Sequence, residues 1–344
     1  MRQHEKALAA LLLGLLALPA AGAELQLKQE SAPLPFAVAG LESDLDGLAL
    51  IGRAGDGGAG WARLRLDQGK ISFESQDQPR APAPGRPGML PQGSVSQGPG
   101  RIRAAWLSRP TGRYDHGVLG DAIEAGGLMV ELADGRRLET VLGPSSVFED
   151  LAPRLLDVDG NGQDDLVVVR SYLARGAALA AYTVGVGGLR LLGQSPPIGR
   201  PRRWLNPIGA GDFDGDGRIE VAAVVTPHIG GELTLYRLEA GLLRPVARQG
   251  GFSNHAMGSR QLGMAAILDV NGDSVDDLLV PASHRRSLRI VSFARRFAEL
   301  ARVDHETEIA SEIVVFASEI DPTPRVAYVL ADGNLVLLSF NVTP

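Results

Sequence analysis

The 344 residues contain no cysteine. That absence excludes disulfides, thiolate metal sites and lipid attachment through a cysteine. Lysine is scarce as well, with three lysines against 31 arginines. Such a skew is a composition bias, because nucleic-acid-binding domains carry a clustered basic stripe and a pI above about 9, whereas the pI here is about 5.6. There is no HExxH, no phosphate-binding glycine loop and no G-x-S-x-G turn, so the commonest metalloprotease, nucleotide and serine-hydrolase signatures are missing. The apolar run Ala7–Leu18 is shorter than the roughly 20 residues of a membrane span. It is flanked by Arg2 and Lys6 and followed by Ala21-Gly22-Ala23, the pattern of a signal peptide over residues 1–23; a membrane anchor is the alternative. An exported chain without cysteine draws its stability from core burial or bound metal.

What is present is a local excess of acid. Taking Arg2, Lys6 and Glu5 from the 34 basic and 40 acidic residues leaves 32 and 39, a net charge of −7. Twelve of those acids fall in three short turns, so the remainder of the chain is basic, with 32 against 27. Three divalent cations would bring the whole to −1. The acidity therefore points to metal binding and not to a generally acidic surface.

The three turns sit in repeats, LLDVDGNGQDDLVVV, GAGDFDGDGRIEVAAVV and AAILDVNGDSVDDLLV, with Asp157, Asp212 and Asp269 at equivalent places. The stretch Gln261–Ser283 shows the plan most clearly: an apolar run, alternating acids, then a second apolar run. Apolar runs bounded by such turns read as buried strands. Strand-like segments also precede and follow the repeats. Phe36–Leu41, Leu48–Arg53, Trp61–Leu66 and Lys70–Glu74 make a first unit; Ile102–Leu107 opens a second. Glu312–Glu319, Arg325–Leu330 and Leu335–Phe340 make a sixth that lacks one strand, which Glu24–Lys28 can supply. The expected fold is all-β: a β-propeller of six four-stranded blades, closed by pairing the N- and C-terminal strands, which removes the exposed sheet edge. Five or seven blades are the alternatives. Residues 24–344 then form one domain, with the Pro/Gly-rich stretch 75–100 as a loop between blades 1 and 2; a domain boundary there is the other reading.

Within each strong turn, oxygen-bearing side chains occupy positions 1, 3, 5 and 9. They are Asp157, Asp159, Asn161 and Asp165; Asp212, Asp214, Asp216 and Glu220; and Asp269, Asn271, Asp273 and Asp277. Position 7 is Gln163, Arg218 or Val275, which share no side-chain chemistry and so suit a backbone-carbonyl ligand. Calcium takes 6–8 oxygens at flexible angles, whereas magnesium demands a stricter octahedron. An EF-hand is excluded, because position 12 is Val168, Ala223 or Val280 in place of its bidentate glutamate.

Leu262-Gly263 followed by AAILDVNGD and DDLLVPAS resembles the FG-GAP (VCBS-type) repeats of integrin α-subunit propellers and many exported bacterial proteins. The likeness is strongest over residues 147–300. It implies structural calcium, about three ions, in the turn between the first two strands of a blade. Ser274 departs from Gly162 and Gly217 at the same place, and the turns at Asp44, Pro99 and Asp321 have lost most of their ligands.

In a four-stranded blade the turns between strands 2 and 3, and the links between blades, share the face opposite the calcium turns. His116, His228, His255, His284 and His305 all map to that face, as do Trp204, Arg202, Arg203 and Arg285. Loops on a rigid scaffold commonly carry binding residues, and the candidate ligand residues are Tyr114, Asp115, His116, Tyr172, His228, His255, His284 and Arg286. The leading expectation is a periplasmic or secreted binding or scaffold module for a protein or glycan, with no nucleic-acid partner and no membrane span once the leader is removed. A carbohydrate-active enzyme, lyase or hydrolase, using the same face is the alternative; a purely structural module is a third reading.

Overall fold

The computed structural model describes residues 24–34, 36–44, 47–53, 59–67, 70–75, 85–318 and 321–343. The leader at residues 1–23 and the Leu45-Asp46 centre of the first degenerate turn lie outside the described residues. Every helix or strand among those described is a strand. After β1 (Glu24–Pro33) the strands fall into antiparallel meanders. The first comprises β2 (Ala37–Asp44), β3 (Gly47–Arg53), β4 (Ala59–Asp67) and β5 (Lys70–Ser75), and the second β6 (Ser96–Gln97), β7 (Ile102–Thr111), β8 (Glu124–Leu132) and β9 (Arg137–Val141). A short bridging strand, β10 (Ser146–Phe148), pairs with both flanking sheets. The third meander is β11 (Arg154–Leu156), β12 (Asp165–Tyr172), β13 (Gly176–Gly185) and β14 (Gly188–Gln194). The fourth is β15 (Leu205–Gly211), β16 (Glu220–Val225), β17 (Glu232–Glu239) and β18 (Leu242–Gly250). The fifth is β19 (Ala266–Leu268), β20 (Asp277–Pro281), β21 (Ser287–Ser292) and β22 (Ala298–Asp304). The last sheet takes β23 (Val314–Phe316), β24 (Arg325–Val329) and β25 (Asn334–Thr343) from the end of the chain, and its fourth strand is β1. β1 pairs with β25 antiparallel along its whole length, from Glu24 opposite Thr343 to Pro33 opposite Asn334.

Burial follows position in the meander. The second strands are apolar on both faces: Val167, Val168 and Val169 in β12, Val221 to Val224 in β16, and Leu278 to Val280 in β20 are all buried. Strands covered on both faces read as continuous apolar runs, and strands with one wet face alternate. Accordingly the fourth strand β18 alternates between exposed and less exposed residues. A β-bulge recurs between the third and fourth strands, at Ala181/Tyr182, Leu235/Tyr236 and Ile290/Val291. That recurrence marks the three central sheets as copies of one unit. The first strands are neighbours in the order β2, β23, β19, β15, β11, β6, so each sheet packs its first strand against those of the sheets beside it. A chain of polar groups, buried except for the part-exposed Arg154, lies between them. Asp150 pairs with Arg154 at 2.8 Å, Arg154 donates to Asn206 Oδ1, and Asn206 Nδ2 donates to the carbonyls of Asn254 and Leu262.

One stretch differs from expectation. The Pro/Gly-rich segment is not loop throughout: Leu90, between Pro87 and Pro91, is 2% exposed and donates its amide to Leu107 O at 2.9 Å. Proline removes its own N–H only, so the leucine between two prolines can still dock on β7. Further on, β7 and β8 stay paired as far as Thr111 opposite Glu124, which leaves residues 112–123 as the loop that carries Tyr114, Asp115 and His116.

Candidate metal turns and the opposite loop face

Each acidic turn joins the first two strands of its sheet, and each is wired alike. The position-1 aspartate accepts amides from the far side of the turn: Asp157 from Gly160 and Gly162, Asp212 from Gly215 and Gly217, Asp269 from Gly272 and Ser274. The position-9 acid is buried and turns one oxygen back to the position-2 amide. Asp165 accepts from Val158 at 3.3 Å, Glu220 from Phe213 at 3.1 Å and Asp277 from Val270 at 3.1 Å. Position 9 is thus a turn anchor first, with one oxygen left over.

What faces that second oxygen separates the turns. In the first, Asp157, Asp159 and Asp165 bring carboxylate oxygens within 4.8 Å of one another, and Thr183, next to the Leu166–Tyr182 pair, faces Asp165. In the third, Asp277 Oδ1 is buried with no hydrogen-bond partner, and no three carboxylates come equally close, since Asn271 stands at position 3. Burial pushes Asp165 up to about 6, against hydrogen bonds from Thr183 and Val158, and Asp277 up to about 7, against the Val270 amide. A hard cation takes carboxylate oxygens that lie close together or that are desolvated without a partner; the first turn offers the former and the third the latter, and on these grounds both fit calcium. In the second, Asp212, Asp214 and Asp216 are equally close, but the Arg237 guanidinium is already there. It reaches Asp214 at 2.8 Å and Asp216 at 3.0 Å and pairs with Glu220. Of the position-7 residues, Val275 has no polar side-chain atom and Arg218 lies 3.8 Å from Glu239. Asp321, in the last sheet, pairs with Arg325 at 2.7 Å.

On the opposite loops the structure gathers four of the eight candidate ligand residues. His116 Nδ1 hydrogen-bonds Glu149, a fully buried carboxylate that also accepts from Ser171 Oγ. Burial raises the Glu149 carboxyl, and its bonds to His116 and Ser171 oppose the rise. Trp204 Nε1 donates to the Glu149 carbonyl at 2.9 Å, and its ring stacks with His228 and tilts against His255, at 6.2 and 4.7 Å between centroids. Tyr114 OH accepts the Arg202 amide at 2.9 Å. His228 Nε2 lies 2.8 Å from His255 Nδ1, and His255 Nε2 lies 3.0 Å from Ser259 O. A carbonyl only accepts, so His255 carries its proton on Nε2. Burial holds both rings down at about 4, so each is neutral near pH 7. His255 Nδ1 must then accept from His228 Nε2–H, which leaves the lone pair on His228 Nδ1. His116, Arg202, Arg203, Trp204, Thr226 and His228 border one depression of about 210 Å³.

The other four candidates lie elsewhere. Tyr172 is held between Arg170 and Arg175 and bonds Gln194. His284 is exposed and accepts the Arg286 amide within its own turn; Arg286 is exposed beside it. Asp115 has its side chain 82% exposed and lies 3.8 Å from Arg202. Sequence reasoning missed Glu149, the buried acid against His116, and Glu124, a buried acid near Glu149. Neither lies in an acidic turn: Glu124 opens the apolar strand β8, and Glu149 stands with Asp150 in an apolar link.

Residues 157–223 match the family model of the FG-GAP-like repeat. No curated protein matches the chain. Among solved structures, the WD40 domain of Toxoplasma gondii coronin is similar at 11% identity, over 93% of this chain and 87% of that one, with a TM-score of 0.42. A Photorhabdus luminescens Tc holotoxin pore structure is similar at 16% identity, over 93% of this chain and 14% of that one, with a TM-score of 0.42. An exotype rhamnogalacturonan lyase is similar at 13% identity, over 88% of this chain and 64% of that one, with a TM-score of 0.38. The chain is an all-β protein that carries an FG-GAP-like repeat, and the sheets on either side of that repeat share its four-stranded plan.

Proposed function

We propose that the six meanders are the blades of one exported, calcium-stiffened β-propeller, which holds an acidic sugar residue of a glycan in the His116–His228 depression. The closed ring is supported by the pairing of β1 with β25 and by the order in which the first strands are neighbours. Export rests on the leader pattern of residues 1–23. Calcium is supported at the first turn by its carboxylate cluster and at the third by the unpartnered Asp277 oxygen.

One observation carries the binding site: loops from three different sheets bring two arginines, a neutral imidazole acceptor and an indole to one depression. Arginine forks suit carboxylates, and the His228 lone pair suits a neighbouring hydroxyl. A sugar acid offers both. The depression is small, so its occupant is a single residue of a chain that continues over the surface.

The reading is tested by calorimetric titration of calcium-loaded protein with galacturonate oligosaccharides and with their neutral galactose counterparts. The acidic series should bind, and the neutral series should bind at least about tenfold more weakly, which corresponds to about 1.4 kcal/mol. Arg203→Ala and His228→Ala should each weaken the acidic series by about the same factor. Equal affinity for both series, or variants that bind as the parent does, would remove the site.

A further inference from the structure

We propose that Arg237 is the resident cation of the second acidic turn, so that a guanidinium closes this turn where its two sister turns take a divalent ion. The inference rests on the calcium reading of the first and third turns and lowers the expected count from three ions to two. Arg237 is 8% exposed on β17, directly opposite Glu220 in the register. From there its Nε and Nη2 both bond Glu220 Oε1, Nη2 also reaches Asp214 Oδ2 at 2.8 Å, and Nη1 lies 3.0 Å from Asp216 Oδ2. Those are positions 3, 5 and 9, the side chains a calcium ion would need besides Asp212. Glu220 Oε2 is spent on the Phe213 amide, so no oxygen of the position-9 acid is left.

An arginine cannot yield by losing its proton. A divalent ion entering the turn would meet a fixed positive charge in a desolvated place, or would have to expel the guanidinium from a buried pair. Either is costly. The sister turns differ at this same register position. They carry Thr183 and Ser292, beside the Leu166–Tyr182 and Leu278–Val291 pairs, and these short hydroxyls bring no charge and leave the centre of the turn open. The chain uses the same device once more, in the last sheet, where Arg325 pairs with Asp321 in a turn that has lost its ligands.

The test counts ions. Protein stripped by chelator and dialysed is titrated with calcium chloride by calorimetry, with elemental analysis after gel filtration. The parent should bind two calcium ions per chain and Arg237→Thr three, while Thr183→Arg, which places a guanidinium in the first turn, should bind one. Three ions in the parent, or no gain in Arg237→Thr, would overturn the assignment. A parent that binds no calcium sinks the calcium reading alone. The assignment is then decided in chelator by Arg237→Met, which leaves Glu220 buried and unpaired and should lower the Tm by about 5 °C or more; an unchanged Tm would overturn it. Should Arg237→Thr fail to fold without metal, recovery of the folded protein on adding calcium supports the assignment, and failure to recover counts against it.

Discussion

Asp277 and Val270 are joined across the third acidic turn by a 3.1 Å bond from the Val270 amide to Asp277 Oδ2, while the other carboxylate oxygen, equally buried, has no partner. A buried charge with an unmet oxygen is costly unless something supplies opposite charge. Asp277→Asn keeps the acceptor for Val270 and removes the charge. In chelator it should therefore be neutral or stabilising by about 1 kcal/mol. In excess calcium the sign should reverse, because the parent gains the ion at this turn and the variant does not. Thermal unfolding of both proteins in each condition checks this. The same loss in chelator and in calcium would mean that Asp277 serves only as the Val270 anchor.

Ser274 occupies the backbone conformation that glycine holds in the two sister turns. Its φ is 65°, against 79° for Gly162 and 81° for Gly217. All three donate their amides to the position-1 aspartate, so the turn geometry survives at the expense of backbone strain. A side chain in the left-handed region costs about 1–2 kcal/mol relative to glycine, partly offset by the greater freedom of glycine in the unfolded chain. Ser274→Gly should raise stability by about 0.5–1 kcal/mol and leave calcium affinity at that turn the same or higher. Denaturant unfolding with and without calcium measures both.

Much of this was legible in the sequence because strand period, turn spacing and repeat length are local properties. The 55- and 57-residue intervals from Asp157 to Asp212 and from Asp212 to Asp269 were enough to expect four strands per unit, and Glu24–Lys28 was expected to supply the strand that β1 supplies. The acids at positions 1, 3, 5 and 9 were legible for the same reason. Their partners were not. Arg237 lies 17 residues beyond Glu220 and reaches it only through strand register. Likewise, membership of a 2–3 turn places Tyr172 and His116 on one face, but only blade position tells that His116 meets Glu149 and that Tyr172 turns to Gln194. The meaning of Glu124 and Glu149 lies in burial, which depends on what packs over them and not on the residues beside them in the chain.

Glu124 is 1% exposed near Glu149, Asp121 and Asp150, and burial, reinforced by those neighbouring charges, pushes its carboxyl up to about 9. Its folded value lies above its unfolded one, so the folded state keeps a proton that the unfolded state loses above about pH 4.5. Stability from this group is whole at lower pH and drains away as pH rises from about 4.5 toward 9. Glu124→Gln mimics the protonated form at every pH. It should match the parent near pH 4.5 and exceed it increasingly on the alkaline side, by a margin on the order of 5 kcal/mol at pH 8. Parallel denaturation curves at pH 5, 6.5 and 8 give the difference directly. A constant difference across that range would show that Glu124 is ionised in the folded protein.

The position of His228 depends on a glycine three residues on. The turn from β16 to β17 is closed by the Gly231 amide donating to Thr226 O, and Gly231 O receives the amides of Gly251 and Phe252. Gly231 has a φ of 21°, and a Cβ there would lie 1.5 Å from the Phe252 carbonyl oxygen. That contact is with backbone, which cannot rotate away. Gly231→Ala must therefore push the turn off the link that carries His255. It should cost about 3 kcal/mol or more, and it should separate His228 from His255. The freed rings should then regain an ordinary imidazole titration near 6.5, in place of the depressed values near 4 that burial imposes. NMR titration of the histidine ring protons in parent and variant reads this independently of stability. If the variant folds and its His228 and His255 still titrate near 4, the depression is held by Trp204 and the loops above it, and not by the Gly231 turn.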